Sequence, residues 1–466
     1  MKRRLILGVV LSSLVAGLGL IAARGVLAAE ENAAWPPSLK GADANGTATI
    51  KSDLFLKVPD SVQAGVKKEG AAPFVVAKTA PEVDLAYHRE LPGPGFWTSW
   101  GDIVVADDGK VYCGIGDHGE DAAGKAHALL YEYDPAKRTL KKVVDINALV
   151  PRKAGEPAWS KMHARVTQGA DGAIYFSATL NDGNLATQPA YKWSKDLPGG
   201  QLYQYDPKTG KAGVFANLPP KRATATAIMD RQRNIWWCNL EAGGNALFAL
   251  DLATKKVVFQ GPDGSVGLNR NFALANDGAV YFNGKDGEIW KYDPKTHAIA
   301  KTGSTFPPKA EGMRASTAES KDGWIYGCTM TPGRLFRYAP AKDKLEMLGP
   351  DFLHGEYTVV CALSPDERFV YYLPGAHGSA FQFGTPVIQY EIATGQRKVI
   401  AFLREAMEKA CEYVPAGTYG VKLSPDGGTL YVNFNGHPAP ATGKKTQQEG
   451  FGLTALAAIH IPKSER

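Results

Sequence analysis

GAIYFSATL at residues 172–180 with GGQLYQYDPKTGK at 199–211 returns later in the chain as GAVYFNG at 278–284 with GEIWKYDPKTH at 287–297. Each copy joins a short aromatic and β-branched strand to an alternating strand, closed by an Asp-Pro-Lys-Thr run suited to tight reversal. Looser copies are KVYCGIG (110–116) with HALLYEYDPAKRT (127–139), NIWWCNL (234–240) with NALFALDLATKK (245–256), and WIYGCTM (324–330) with GRLFRYAPAKDK (333–344). Two more follow, RFVYYLP (368–374) with PVIQYEIATGQ (386–396) and TLYVNFN (429–435) with LAAIHIPKSER (456–466).

The closing turns fall near residues 134, 206, 251, 293, 339, 391 and 461, at spacings of 42 to 52 apart from two of about 70. A strand-turn-strand text repeated at that period predicts an all-β, seven-bladed β-propeller with four-stranded antiparallel blades; a β-sandwich would not repeat itself at blade length. The pattern resembles the superfamily of seven-bladed propellers with YDP-TG hairpins, which includes secreted propeller polysaccharide lyases and other bacterial periplasmic propellers. That resemblance covers residues 95–466 and speaks to fold, not reaction.

Residues 1–29 combine a basic start, an apolar stretch and a small-residue exit at Ala28 and Ala29, the form of a cleaved signal peptide, so the protein is expected to be periplasmic or secreted. Residues 30–50 read as an extended leader and 51–466 as one propeller domain, with SDLFLKVPDS (52–61) expected to add a strand to the last blade and cover its edge. A short helix is expected over 404–414, on a loop. Loss of Lys2, Arg3, Arg4 and Arg24 with the signal lowers the formal charge from +6 to +2. No basic stripe points to nucleic acid, no stable membrane insertion is expected, and a closed ring is expected to be a monomer. The five cysteines form no CxxC or CxxCH and mostly lie in apolar strands, as small buried hydrophobes; one pair could be bridged.

Superposing the seven copies places the start of each innermost strand, and the exit of each second strand, on one face. The starts contribute Trp97 and Trp100, His163 and Arg165, Arg270, Arg314, His354 with Glu356 and Tyr357, and Tyr419; the exits contribute Asp117 and His118, Asn283, His377 and His437. His88 and His127 are placed to reach the same face. Tyr133, Tyr205, Tyr292, Tyr338 and Tyr390 share one blade offset and are expected to pack between blades. Channel-lining arginines need a counter-charge or an anionic ligand, and Asp117, Glu311 and Glu356 are the nearest acids in this register.

Two chemistries fit. β-Elimination on a uronate-containing, anionic carbohydrate needs cations to neutralise the carboxylate, a base and an acid. The resemblance to secreted propeller lyases implies His163, Tyr357, His118 and Tyr419 as catalytic candidates, with Arg165, Arg270, Arg314, Trp97 and Trp100 binding substrate. A phenol in such a role is expected to be acidified by a neighbouring cation. The alternative is a metal site for copper or zinc, or another divalent metal such as calcium or manganese, drawn from His118, His163, His354, His377, His437 and Glu356. Periplasmic copper oxidoreductases on seven-bladed propellers are similar in fold to this reading. A third expectation is a non-catalytic periplasmic binding scaffold.

Overall fold

Asp206 shows how the repeated turns work: its Oδ1 accepts the Lys208 N–H at 2.9 Å, its Oδ2 accepts the Thr209 hydroxyl at 2.8 Å, and Gly210 adopts a φ of 69°. The chain thereby reverses between the strands Gln201–Asp206 and Lys211–Asn217. Asp134, Asp251 and Asp293 hold the N–H two residues ahead in the same way. The computed structural model describes residues 35–65, 67, 71–118, 126–152, 158–179, 199–241, 244–267, 270–330, 333–349, 352–353, 357–439 and 450–466. The signal segment, His354 and Glu356 lie outside the described residues.

The described residues form seven sheets, making an all-β seven-bladed β-propeller. Blades 1 to 5 span residues 104–145, 167–217, 227–260, 272–305 and 313–347, each with four antiparallel strands. Blade 6, residues 358–402, gains a parallel outer strand, Val75–Val76, paired with Lys398 and Val399. Blade 7 runs from the channel outward as Tyr413–Leu423, Thr429–Pro438, Ala455–His460, Glu82–Tyr87 and Thr47–Lys51. The closing strand is therefore Glu82–Tyr87, not residues 52–61. Those residues hold a single 3-10 turn, Asp53–Leu56, and the start of the helix Asp60–Gly65. EVDLAY buries five of its six residues between two strands, whereas SDLFLKVPDS carries a proline that cannot donate to a ladder.

In blades 1 and 3 the second and third strands are buried almost throughout, while outer strands such as Lys256–Gln260 are mostly exposed. The recurrent tyrosines bridge neighbouring blades. Ring centroids are 6.2 Å apart for Tyr133 and Tyr431, 6.0 Å for Tyr205 and Tyr112, 4.7 Å for Tyr292 and Trp237, and 5.2 Å for Tyr338 and Tyr281. Amide latches add to this. Asn283 accepts the Met313 N–H at 2.7 Å and donates to the Met313 carbonyl at 2.8 Å. Asn435 repeats the exchange with Ser99 at 2.7 and 3.0 Å, joining blade 7 to the chain entering blade 1. The helix Leu403–Cys411 is no loop ornament: Leu403, Ala406, Met407 and Cys411 face the core. All five cysteines are buried, and none is in a disulfide. Among the described residues no helix is long and apolar enough to cross a membrane.

Candidate functional site

The first residues of the inner strands converge on the central channel, as the repeat register requires. Trp100, His163, Arg165, Arg270, Arg314 and Tyr419 all line one cavity there, with Asp102 and Asn271. The cavity leaves about 40 Å³ for water-sized occupants. That is a few times the space one water needs, so no sugar ring enters it.

Trp100 caps this space. Its indole N–H points to Thr98 Oγ1 at 2.6 Å and to His118 Nε2 at 2.5 Å, which makes that His118 nitrogen an acceptor. The His163 ring lies nearly parallel to it at 6.4 Å, the Phe451 ring lies 5.5 Å away, and Lys161 Nζ sits 4.3 Å from the indole centroid. Packed on these sides and 8 % exposed, Trp100 acts as a plug rather than an open stacking platform.

The cations are distributed unevenly. Arg165 Nε lies 3.5 Å from Asp102, and its Nη2 donates to Asn271 Oδ1 at 3.2 Å. Asp102 is also committed to Lys422 and to the Val421 N–H. Arg314, 7 % exposed, rests on neutral groups: Nε donates to the Tyr357 hydroxyl at 2.9 Å, Nη1 reaches the Arg270 carbonyl at 3.4 Å, and the Tyr419 ring centroid lies 5.4 Å away. Among the described residues no carboxylate lies within ion-pair distance of Arg314. The expected acid Asp117 is turned away, 2.6 Å from His127 Nδ1, and this hydrogen bond raises the His127 pKa.

Two histidines near the cations are held neutral. His163 Nδ1 is 2.8 Å from the Ala225 carbonyl, so it carries the proton and leaves Nε2 with its lone pair. Burial, then the charges of Lys161, Arg270 and Arg314, hold its pKa well below the ordinary imidazole value. His377 is exposed at the mouth but walled by Tyr357, Trp100 and Tyr419 at ring distances of 5.4, 5.5 and 6.1 Å. Desolvation by these walls, and then the same three cations, lower its pKa.

Several sequence expectations change. Tyr419 is not acidified: burial drives its pKa well above the usual phenol value despite Arg314 and Arg270. Trp97 is 1 % exposed and donates its indole N–H to the Gly93 carbonyl at 2.9 Å, so it packs beneath the mouth. His88 is fully buried, with Nε2 3.4 Å from Cys113 Sγ. His437 does not join the other histidines; its ring stands edge-on to Phe381 at 5.9 Å, and Nδ1 lies 2.9 Å from the Pro438 carbonyl. Among the described residues no three His, Cys, Asp or Glu side chains converge as a metal site. Sequence reading overlooked Asp102, Lys161 and Lys422. Asp102 lies two residues past Trp100 at the inner-strand start, so the register alone could have found it.

Neither a family model nor a curated protein matches this chain. Solved structures do. The one titled "Crystal Structure of Mitotic Checkpoint Complex" is 11% identical over 84% of this chain and 96% of that chain, with a TM-score of 0.52. The one titled "Crystal structure of RRP9 WD40 repeats" is 10% identical over 81% of this chain and 97% of that chain, with a TM-score of 0.51. At such identities the likeness establishes the propeller fold, and no close family is matched.

Proposed function

We propose that the protein is an exported binding propeller, a non-catalytic scaffold that captures an anionic carbohydrate or other small anionic ligand at the mouth around Arg270, Arg314, Tyr357 and His377. The observation that carries this reading is Arg314. Arg314 is 7 % exposed and rests on neutral groups among the described residues, so its charge carries a desolvation cost that an anionic ligand offsets. The two titled structures, one of a complex and one of WD40 repeats, supply a precedent of fold alone.

Titration calorimetry with uronate oligosaccharides and their neutral counterparts tests the reading. Selective binding of the anionic series is expected, weakened about tenfold or more in Arg270→Gln, the loss of a charge-assisted hydrogen bond. Equal affinity for the neutral series would sink it. A lyase is the second reading, favoured by one observation: His377 is an exposed, neutral imidazole close to cations that could acidify a proton beside a carboxylate. Absorbance from newly formed unsaturated ends, lost in His377→Ala, would establish that reading instead.

A further inference from the structure

We propose that a cavity between blades 5 and 6 binds a medium-chain fatty carboxylate, its acyl chain against Phe74, Val75, Met347, Leu348 and Tyr390 and its carboxylate at Arg397. The cavity measures about 550 Å³, within the span of roughly 300–1,000 Å³ typical of small-molecule sites. Among the described residues blade 6 alone carries a parallel outer strand, Val75–Val76, paired with Lys398 and Val399 and continued by the Ala77 N–H on the Val399 carbonyl at 2.9 Å. Phe74, just before it, is pinned by Phe352 and Phe402 at ring distances of 5.1 and 6.4 Å, which fixes this segment as a wall. From blade 5, Met347 ends the outer strand Lys344–Met347 and Leu348 follows it into the lining. Val75 is 42 % exposed, an apolar surface left to water at the rim. The flexible thioether and the branched aliphatic chains suit an acyl chain.

Arg397 is the one charged residue among those described around the cavity, and it is 5 % exposed. Its Nη2 donates to the Leu348 carbonyl at 3.1 Å, its Nε donates to the Tyr372 hydroxyl at 3.3 Å, and the Tyr390 ring centroid lies 5.1 Å from the guanidinium. The matching tyrosines of blades 1, 2, 4 and 5 pack on rings of the preceding blade; Tyr390 carries this cation instead. Among the described residues no carboxylate lies within ion-pair distance of Arg397, and Nη1 has no hydrogen-bond partner. A single guanidinium set in an apolar wall matches one carboxylate head on an apolar body. None of these residues lines the channel, so the site stands apart from ligand capture at the mouth.

Titration calorimetry of the whole protein with octanoate, and with octanol as a neutral chain of equal length, tests the site. Carbon NMR of the methionine methyls, with the Met347 signal identified by Met347→Leu, reports where the chain lies. Octanoate is expected to bind about tenfold more tightly than octanol, the gain of a charge-assisted hydrogen bond, and to shift the Met347 signal. Arg397→Gln should abolish the preference. Gln396→Glu adds a like charge on the exposed turn lining the cavity; it should weaken octanoate about threefold and spare octanol, and it serves if the arginine variant does not fold. Octanoate binding should persist in Arg270→Gln; its loss there would move octanoate to the mouth and overturn the cavity. Equal affinity for the two probes, binding of neither, a Met347 signal that stays in place, or a preference undiminished in the Arg397 and Gln396 variants also overturns it.

Discussion

Substituting Asp84 should remove a pH-dependent clasp on the closure of the ring. Asp84 lies on the closing strand Glu82–Tyr87 and is 6 % exposed. It accepts from Thr49 at 2.5 Å, lies 3.2 Å from His460 Nε2, and takes Arg138 at 2.9 Å and 3.2 Å, so one carboxylate ties three strands of blade 7 to blade 1. Burial raises its pKa, but hydrogen bonds from His460, Thr49 and Arg138 outweigh that and lower it from 3.8 to about 2. Because the folded value is depressed, the stabilisation is complete above the unfolded value near 3.8 and is lost as pH falls toward 2. The displacement corresponds to at most about 2.5 kcal/mol. Arg138 and His460 are partly open to water, and screening reduces this to about 1–2 kcal/mol. Unfolding free energies from urea titrations followed by tryptophan fluorescence should place Asp84→Asn below the wild type by that amount at pH 6, with the gap closing near pH 2. A gap of equal size at both pH values would refute the reasoning.

The two amide latches should act independently. Asn283→Ala and Asn435→Ala each remove two buried hydrogen bonds and should cost about 1–3 kcal/mol, adding in the double variant because they join different blade pairs; denaturant unfolding checks this. Nitrogen NMR should find His163 protonated at Nδ1, bare at Nε2 and still neutral at its ordinary pKa of 6.5. Because the nearby cations help to depress that pKa, Arg270→Gln should move the titration upward.

The ring was legible because each blade repeats the same turn chemistry. The same register correctly brought Trp100, His163, Arg165, Arg270, Arg314 and Tyr419 to one channel. It failed where identity depends on side-chain direction or on distant pairing. Trp97 and Trp100 are three residues apart, yet one packs under the mouth and the other plugs it. His377 and His437 occupy equivalent exits, but the His437 ring packs on Phe381, away from the channel. The counter-charge for Arg165 came from Asp102, whose carboxylate also meets Lys422 from the far end of the chain. The repeat register could place Asp102 at the channel, but its pairing with Lys422 follows from closure of the ring and is not written in any local stretch.

The closing strand also imposes an order of events. Ala455–His460 sits between Thr429–Pro438 and Glu82–Tyr87, so an early segment waits for one of the last to complete its ladder. A chain emerging from its amino end can assemble six sheets while Glu82–Tyr87 still presents an unpaired edge. During that interval the half-made ring is open to mispairing with neighbouring chains, and the segment that ends the hazard is among the last to arrive.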